Sequence, residues 1–527
     1  MVTVSVPSAV SSQTFTVLVN GVAQTTLTGS QVYGPIALEG QELLTVTGGT
    51  VYAGQSVLVA GEVRFVGVGE ANPPPNVYNV VEYGADPTGV NDSAAAINNA
   101  IFDCNRNGGG TVWGVGTFYL GSGPVYPLSN VTLRGGGEGS TTFTANGALT
   151  GGNADLIRVS QSSNYYSNIK ISGITLDCTN QTAGNGATLQ GVNGLELEDI
   201  VVIESYDYGI DWGSVGGNPP YITKPVAKKI YAYGCGRSGS DSFGGGGITN
   251  GLIDGYWCGD SSSGTHPGGS GWDHTMLNGF KITNAFFATS GSPAAGALAS
   301  DFGAVGLTIK DVWVDGWQYA ALLGSTASDV PSDLTIDGLH CVSVSSAGVN
   351  FGFAVGYAVQ RFRIVNCDFT SWGSNPALSL DGGHHGVVAN NTFAANSTAY
   401  AIRLRGDGGS TSSNAPTDIE VFGNDVSLPT YGIYPQYVGA GVSIHDNPGY
   451  NPVGPVTVAV PASGTATAAL PYDATFYITQ TVAASSVAVQ GQSITIPIGG
   501  PTAIRVPAGQ TLTPTYSTAP TWVVMGE

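Results

Sequence analysis

The stretch Leu307-Thr308-Ile309-Lys310-Asp311-Val312-Trp313-Val314 places apolar residues at slots one, three, six and eight of an eight-residue pattern. Alternation of this kind is a strand, and the one extra residue before slot six is a turn that switches side-chain parity before a second strand begins. The pattern returns at Leu334-Thr335-Ile336-Asp337-Gly338-Leu339-His340-Cys341 and at Phe362-Arg363-Ile364-Val365-Asn366-Cys367-Asp368-Phe369. Aligned on slot six, Ile174, Ile200, Tyr233, Tyr256, Ala285, Val312, Leu339, Cys367, Asn391, Asn424 and Asn447 succeed one another at intervals of 23 to 33 residues. A short, drifting period is what a solenoid with loops of variable length produces, whereas a propeller blade needs more residues per repeat. The expectation is an all-β chain whose middle winds as a parallel β-helix of about eleven coils. Asn391, Asn424 and Asn447 fall in one register, so their amides are expected to form a ladder inside the solenoid.

Composition agrees. The 527 residues include 79 Gly and only 10% charged residues, while 42% are hydrophobic. That apolar content excludes disorder, so the glycines mark tight corners that need left-handed backbone angles. The net charge of −20 disfavours nucleic acid and anionic membranes as partners and fits a neutral or amino-sugar glycan more easily than an acidic one, which a cation or clustered basic residues would have to offset. No segment has the length of a membrane span, and Met1-Val2-Thr3-Val4-Ser5-Val6-Pro7 has neither the basic start nor the apolar run of a secretion signal. A virion protein, made in the host cytoplasm and released by lysis, satisfies both this start and the extracellular-looking surface. Cys104, Cys178, Cys235, Cys258, Cys341 and Cys367 show no zinc spacing; Cys235, Cys258 and Cys341 align on slot eight, so buried free thiols are expected.

Outside the repeat, residues 1–70 read as a small β-sandwich-like module, with strands at Thr14–Val19, Leu43–Val46, Val57–Val59 and Val63–Val66. Residues 71–76, containing Pro73-Pro74-Pro75, form a stiff linker, and 77–450 hold the solenoid. An amphipathic helix opens at Asp92-Ser93 and buries Ala96, Ile97, Ala100, Ile101 and Cys104 before Gly108-Gly109-Gly110 ends it; it is placed to plug the open first coil. Residues 451–527 return to short alternating strands, a second small β module.

The stretch Val80-Val81-Glu82-Tyr83-Gly84-Ala85-Asp86-Pro87-Thr88-Gly89-Val90-Asn91-Asp92-Ser93 resembles the opening motif of the pectate-lyase-like superfamily, and Gly109–Trp113, Gly116–Tyr119 and Asn130–Gly135 are similar to its next blocks. The resemblance implies a single-stranded right-handed parallel β-helix, a form common in bacteriophage tailspikes and in bacterial polysaccharide hydrolases and lyases. It further implies a surface-glycan ligand and, for tailspikes, a homotrimer. The polygalacturonase blocks are mostly missing: no Asp-Asp pair exists, and only Gly383-His384-His385-Gly386 and Arg403-Leu404-Arg405 correspond, the first of which also suits a coil corner.

Glycoside cleavage needs two carboxyls a set distance apart, and a solenoid can supply them from stacked coils about 4.8 Å apart. Asp273 and Asp301, assigned to successive coils, are the expected acid/base pair, with Asp211 and His274 in the same catalytic group beside Glu204 and Asp207. Trp212 and Trp272 are expected to stack on sugar rings, and the loop from Gly259 to Gly271, with His266, to wall the groove. These acids also suit solvated turn caps. A second group, Asn350, Trp372, Asp381, Arg403, Arg405, Tyr434 and Tyr437, has one acid and suits binding of a polar or anionic sugar. Gly244-Gly245-Gly246-Gly247 lacks the Lys-Ser/Thr of a phosphate loop. No metal site or cofactor is expected, with Ca²⁺ entering only for a lyase.

The reading is a tailspike or minor tail protein of the phage virion, extracellular after release, that binds a bacterial surface polysaccharide and depolymerises it as a glycoside hydrolase or lyase during host adsorption. Its partners are that glycan and other phage tail proteins. The alternatives are a non-catalytic structural or receptor-binding tail protein, and a bacterial polysaccharide lyase.

Overall fold

In the computed structural model the first 75 residues are described only as the backbone of six strands. From 76 to 526 the structure describes all but 148, 150–153, 161–164, 215–220, 260–268, 291–295, 301–302, 325–330, 352–358, 407–414, 437, 451–454, 471 and 483–484. The chain divides into two compact units, Met1–Pro75 and Asn76–Glu527.

In the second unit, two residues per coil turn the chain in the left-handed backbone region. One column precedes slot six: Gly173, Asp199, Lys229, Gly255, Asn284, Asp311, Gly338, Asn366, Asn390, Gly423 and Asp446, with φ between 52° and 76°. A second precedes slot one and includes Asn250, Gly306, Asp333, Arg361, His385 and Asp418. Gly, Asn and Asp dominate because they tolerate this conformation at least cost. His385 of the Gly-His-His-Gly block is such a corner, its ring 3.3 Å from the Asp418 carboxylate of the next coil.

Between corners, every pairing of described solenoid strands is parallel, giving about eleven turns. Slot three forms one interior column, from Val112 and Leu133 through Ile171, Leu197, Ala227, Ile253, Ile282, Ile309, Ile336, Ile364, Val388 and Val421 to Ile444. All are buried, each contributing on the order of 1.5–3 kcal/mol for the larger aliphatics. One sequence register is corrected: Ile200 pairs with Ile230, not with Tyr233, and Lys229 is the corner before it. Two tyrosines at 231 and 233 mimic the slot pattern one half-strand late. The shift also takes Cys235 out of slot eight, where Ala232 stacks on Cys258. All six cysteines are buried and free.

The asparagine ladder is present. Asn391 Nδ2 donates to Asn424 Oδ1 at 2.8 Å, and Asn424 Nδ2 to Asn447 Oδ1 at 2.8 Å. Asn391 Oδ1 accepts from the Cys367 amide at 2.9 Å, and the ladder's amides also donate to the carbonyls of Ile364, Val388 and Val421.

The helix Ala94–Arg106 lies against the strands Val77–Asn79, Gly110–Trp113 and Val131–Arg134, covering the first coil with Ala94, Ile97, Ala100, Ile101 and Cys104. Ala96 is only partly buried. Asp92 accepts from the Ala94 amide at 3.1 Å, while Ser93 turns its hydroxyl to the Asp86 amide at 2.9 Å. Asp86 itself gathers the amides of Thr88 and Asn91, so the opening motif is a turn lock.

The C-terminal strands form a four-stranded and a three-stranded antiparallel sheet that share a core of Phe476, Ile478, Val524, Val487, Ile496 and Leu512 among others. In the first unit, two three-stranded antiparallel sheets comprise Val2–Ser5, Val32–Ile36 and Leu58–Ala60, and Thr14–Val19, Val22–Thr28 and Leu44–Thr47. The strand expected at 63–66 and the proline joint lie outside the described residues.

Replacing Asn424 tests the ladder. Asn424→Ala is expected to destabilise the protein by about 2–3 kcal/mol because it orphans buried donors and acceptors. Asn424→Asp is expected to cost more, since it sets a carboxylate against the Val388 carbonyl. Equilibrium unfolding in denaturant measures both.

Candidate active site

Strand alternation decides which residues can meet a ligand. On Ile210–Gly213, Ile210 and Trp212 point inward and Asp211 outward; on Trp272–Asn278, Trp272 and His274 point inward and Asp273 outward. Asp211 pairs with Gly244, and Gly244 with Asp273, so both carboxylates stand on one outward column with a glycine between them. Two strand steps separate them by roughly 9.6 Å along the axis.

Gly244, Gly245, Gly246 and Gly247, in the strand Phe243–Thr249, form a floor without side chains. A Cβ on Gly244 would lie 2.6 Å from the Tyr208 ring, and side chains on its neighbours would strike Trp212, Thr275 and Ser214. The result is a cleft of about 270 Å³ lined by Gln190, Tyr208, Asp211, Ser214, Asp241, Gly245, Gly246, Asp273 and Thr275.

Burial pushes the Asp211 carboxyl up to about 7, and the nearby charge of Asp155 adds to the shift. Gln190 Nε2 donates to Asp211 Oδ2 at 2.6 Å, which opposes it only in part. Asp241 Oδ1 accepts from the Ser270 amide at 2.7 Å. Burial, with the carboxylates of Asp241, Asp211, Asp273 and Asp207 acting in the same direction, raises the Tyr208 phenol to about 12. The arrangement can therefore offer a protonated carboxylic acid at neutral pH and a second carboxyl two strand steps away, with the Tyr208 ring over the glycine between them, the chemical requirement of general acid–base catalysis.

Several expected site residues take other places. Trp212 and Trp272 are fully buried, packed with Phe243 and Phe280, and cannot face a sugar. His274 is equally buried; its ring stacks on Trp272 at 4.6 Å, its Nε2 accepts from Trp212 Nε1, and burial pushes its pKa down to about 3. It is a neutral core residue, not an acid/base. Trp372 is buried against Phe393. Asp207 caps a turn by accepting from the Gly184 amide at 3.1 Å, and Glu204 sits at a left-handed corner. Asp301, His266 with its loop 260–268, and Tyr437 lie outside the described residues.

The sequence reading missed Tyr208, Gln190 and Asp241. The available signal was the glycine run: glycines within an otherwise apolar strand mark close approach by another group. Among the described residues no group of three or more His, Cys, Asp or Glu could hold a metal ion.

The outward column continues from Asp273 through Ala299, Leu322, Asn350 and Ser379 to Arg403 and Tyr434. Beside it, Asp381 pairs with Arg405, whose Nε donates to Asp381 Oδ2 at 2.8 Å. Tyr434 stacks on Tyr400 at 4.5 Å.

Residues 77–202 match a family described as rhamnogalacturonase A/epimerase, pectate lyase-like. No curated protein matches the chain by sequence. Among solved structures, the tailspike protein of Escherichia coli bacteriophage HK620 is similar at 14% identity and a TM-score of 0.51, over 85% of this chain and 93% of that one. The A-module of the Azotobacter vinelandii mannuronan C-5 epimerase AlgE4 gives 16% identity and 0.48 over 69% and 97%, and a Yersinia enterocolitica family 28 exopolygalacturonase gives 13% and 0.43 over 80% and 98%. The chain thus carries a pectate-lyase-like, tailspike-like parallel β-helix.

Proposed function

We propose that this chain is a phage tail protein of spike type that binds a bacterial surface polysaccharide along the outward column of the cleft sheet and cleaves it at the Asp211–Asp273 cleft. The observation that carries the reading is the Asp211 carboxyl, protonated near neutral pH and two strand steps from Asp273 across a glycine floor. Asp211 acts as general acid on the glycosidic oxygen and Asp273 as general base on a water. A separation near the 6.5–9.5 Å range of inverting enzymes supports inversion. Gln190 orients Asp211 through its 2.6 Å hydrogen bond. The HK620 likeness supports the tail assignment through the fold, and the two end modules serve virion attachment and assembly with other tail proteins.

The reading includes self-association. Tyr231, Trp257, Phe286, Trp313 and His340, each the residue after slot six, form another outward column. Trp257, Phe286 and Trp313 are 38%, 38% and 43% exposed. Exposed apolar patches of this kind favour burial. In a chain of net charge −20, this uncharged stripe is where a second copy approaches with least repulsion.

Purified protein incubated with bacterial envelope polysaccharide is expected to release oligosaccharides. Asp211→Asn should lower the rate by about 10²–10⁴-fold, and the wild-type rate should fall as pH rises above 7, where Asp211 ionises. Absence of release by the wild type would leave a binder only, and release undiminished in Asp211→Asn would overturn the role of Asp211 as the acid.

Stability offers an independent check. The folded protein retains on Asp211 a proton that the unfolded chain loses from about pH 4, so this group's contribution falls as pH rises towards 7. Asp211→Asn should remove that decline and raise the melting temperature at pH 8.

Sedimentation equilibrium tests the aromatic stripe. The wild type should sediment as an oligomer, and Trp257→Ser with Phe286→Ser should shift it towards monomer.

A further inference from the structure

Asp155 is a buried carboxyl that the cleft chemistry has not yet used, and the stacking brings it next to Asp211. It precedes the strand Ile157–Ser160, whose Arg158 pairs with Thr188, and Thr188 pairs with Asp211. Arg158, Thr188, Asp211, Gly244 and Asp273 thus follow one another on a single outward column. The Asp155 carboxylate meets that column at Thr188, whose hydroxyl bonds to it. One strand step, roughly 4.8 Å along the axis, separates Thr188 from Asp211. The Asp155 side chain is only 7% exposed, so little water screens one carboxyl from the other.

Two carboxyls this close do not both ionise readily, and the proton stays on the one whose anion is less well served. Asp155 is the better served. Its Oδ1 accepts from the Asn185 amide at 2.9 Å, and Arg158 Nη1 lies 3.5 Å from its Oδ2. Asn185 Nδ2 donates to Thr188 Oγ1 at 2.7 Å, which leaves the Thr188 hydroxyl proton for Asp155. Asp211 has one hydrogen-bond donor among the described residues, Gln190 Nε2. Asn185 also joins this anion to the cleft wall, because its Oδ1 accepts from the Tyr208 amide at 2.9 Å. The other charged and titratable groups around Asp211 are Arg158 two strand steps back, Asp207 and Tyr208 on the segment before its strand, and Asp241 and Asp273 on the coils after it. Arg158 has the opposite sign, but it contacts Asp155.

We propose that Asp155 is a positioning residue for the acid: fixed as an anion by Arg158, Asn185 and Thr188, it sets a negative charge beside Asp211 and so assigns the proton of the pair to Asp211. This rests on the reading of Asp211 as general acid and adds the residue that keeps it supplied with a proton. Burial is the larger influence on Asp211, and the Asp155 charge acts in the same direction.

Two neutral variants of the full chain test this: Asp155→Asn, which keeps an oxygen for the Asn185 amide, and the smaller Asp155→Ser. Thermal unfolding confirms that each folds. The pH at which oligosaccharide release falls to half should move down by about one pH unit in either variant, while Asp155→Glu should stay near the wild type. Melting temperatures read the same coupling without catalysis. The gain that Asp211→Asn gives at pH 8 should shrink in a neutral Asp155 background, because the folded protein then holds the Asp211 proton less tightly. A residue with only a structural role would leave that gain at full size. A full-size gain in a folded neutral variant, or an unmoved midpoint, overturns the proposal. If the wild type releases nothing, the cleavage reading fails, and the melting cycle still decides whether Asp155 governs the Asp211 proton. Release that depends on Asp211, with midpoint and gain both untouched by the neutral variants, would leave the cleft reading standing and this inference rejected.

Discussion

In-register parallel hydrogen bonding between successive coils is the constraint on which everything else here depends. Each coil must present its strands at the same height and in the same phase as the one below, so a residue's environment is set by its column more than by its neighbours in sequence. The interior column from Val112 to Ile444 can be filled only by side chains that stack on their own kind, which explains why aliphatics repeat there. The asparagine ladder shows how the stack itself can satisfy polar residues in the interior. Asn391 and Asn424 each donate to the next asparagine and to a strand carbonyl, and Asn447 donates to the Val421 and His445 carbonyls, leaving no ladder amide dependent on water.

The same constraint builds the cleft. Alternation that drives Trp212, Trp272 and His274 into the core necessarily turns Asp211 and Asp273 outward, and stacking puts them on one line. The aromatic interior then acts electrostatically: it is the low-polarity wall behind Asp211 that keeps its proton on near neutrality. Gly244–Gly247 contribute by having no side chains, so that the Tyr208 ring can lie over the floor between the two acids.

Much of this was legible in the sequence. The parity switch at Asp311, Gly338 and Asn366 named the corners, the slot spacing named the solenoid, and the asparagine register named the ladder. The helix over the first coil followed from its apolar face. What escaped came from ambiguity that one dimension cannot resolve. Tyr231 and Tyr233 imitate the slot pattern, so the register slipped at that coil. Tryptophans beside carboxylates looked like sugar platforms because chemistry was weighed before parity. Asp241 and Tyr208 sit in irregular segments between strands, where no periodicity indicates what they face, and only the packing across coils brings them to the cleft.

Loop length and axial distance are decoupled in this architecture. Coils of 23 and of 33 residues both advance the column by one step, because the surplus residues bulge sideways. Lengthening a loop therefore remodels the banks of the groove without altering the interval between the carboxylates and Arg403. That interval is quantised: it changes only by gain or loss of an entire turn, in increments of about 4.8 Å. A lineage carrying this scaffold could thus change its axial length by duplicating one turn, with the columns at either end left intact.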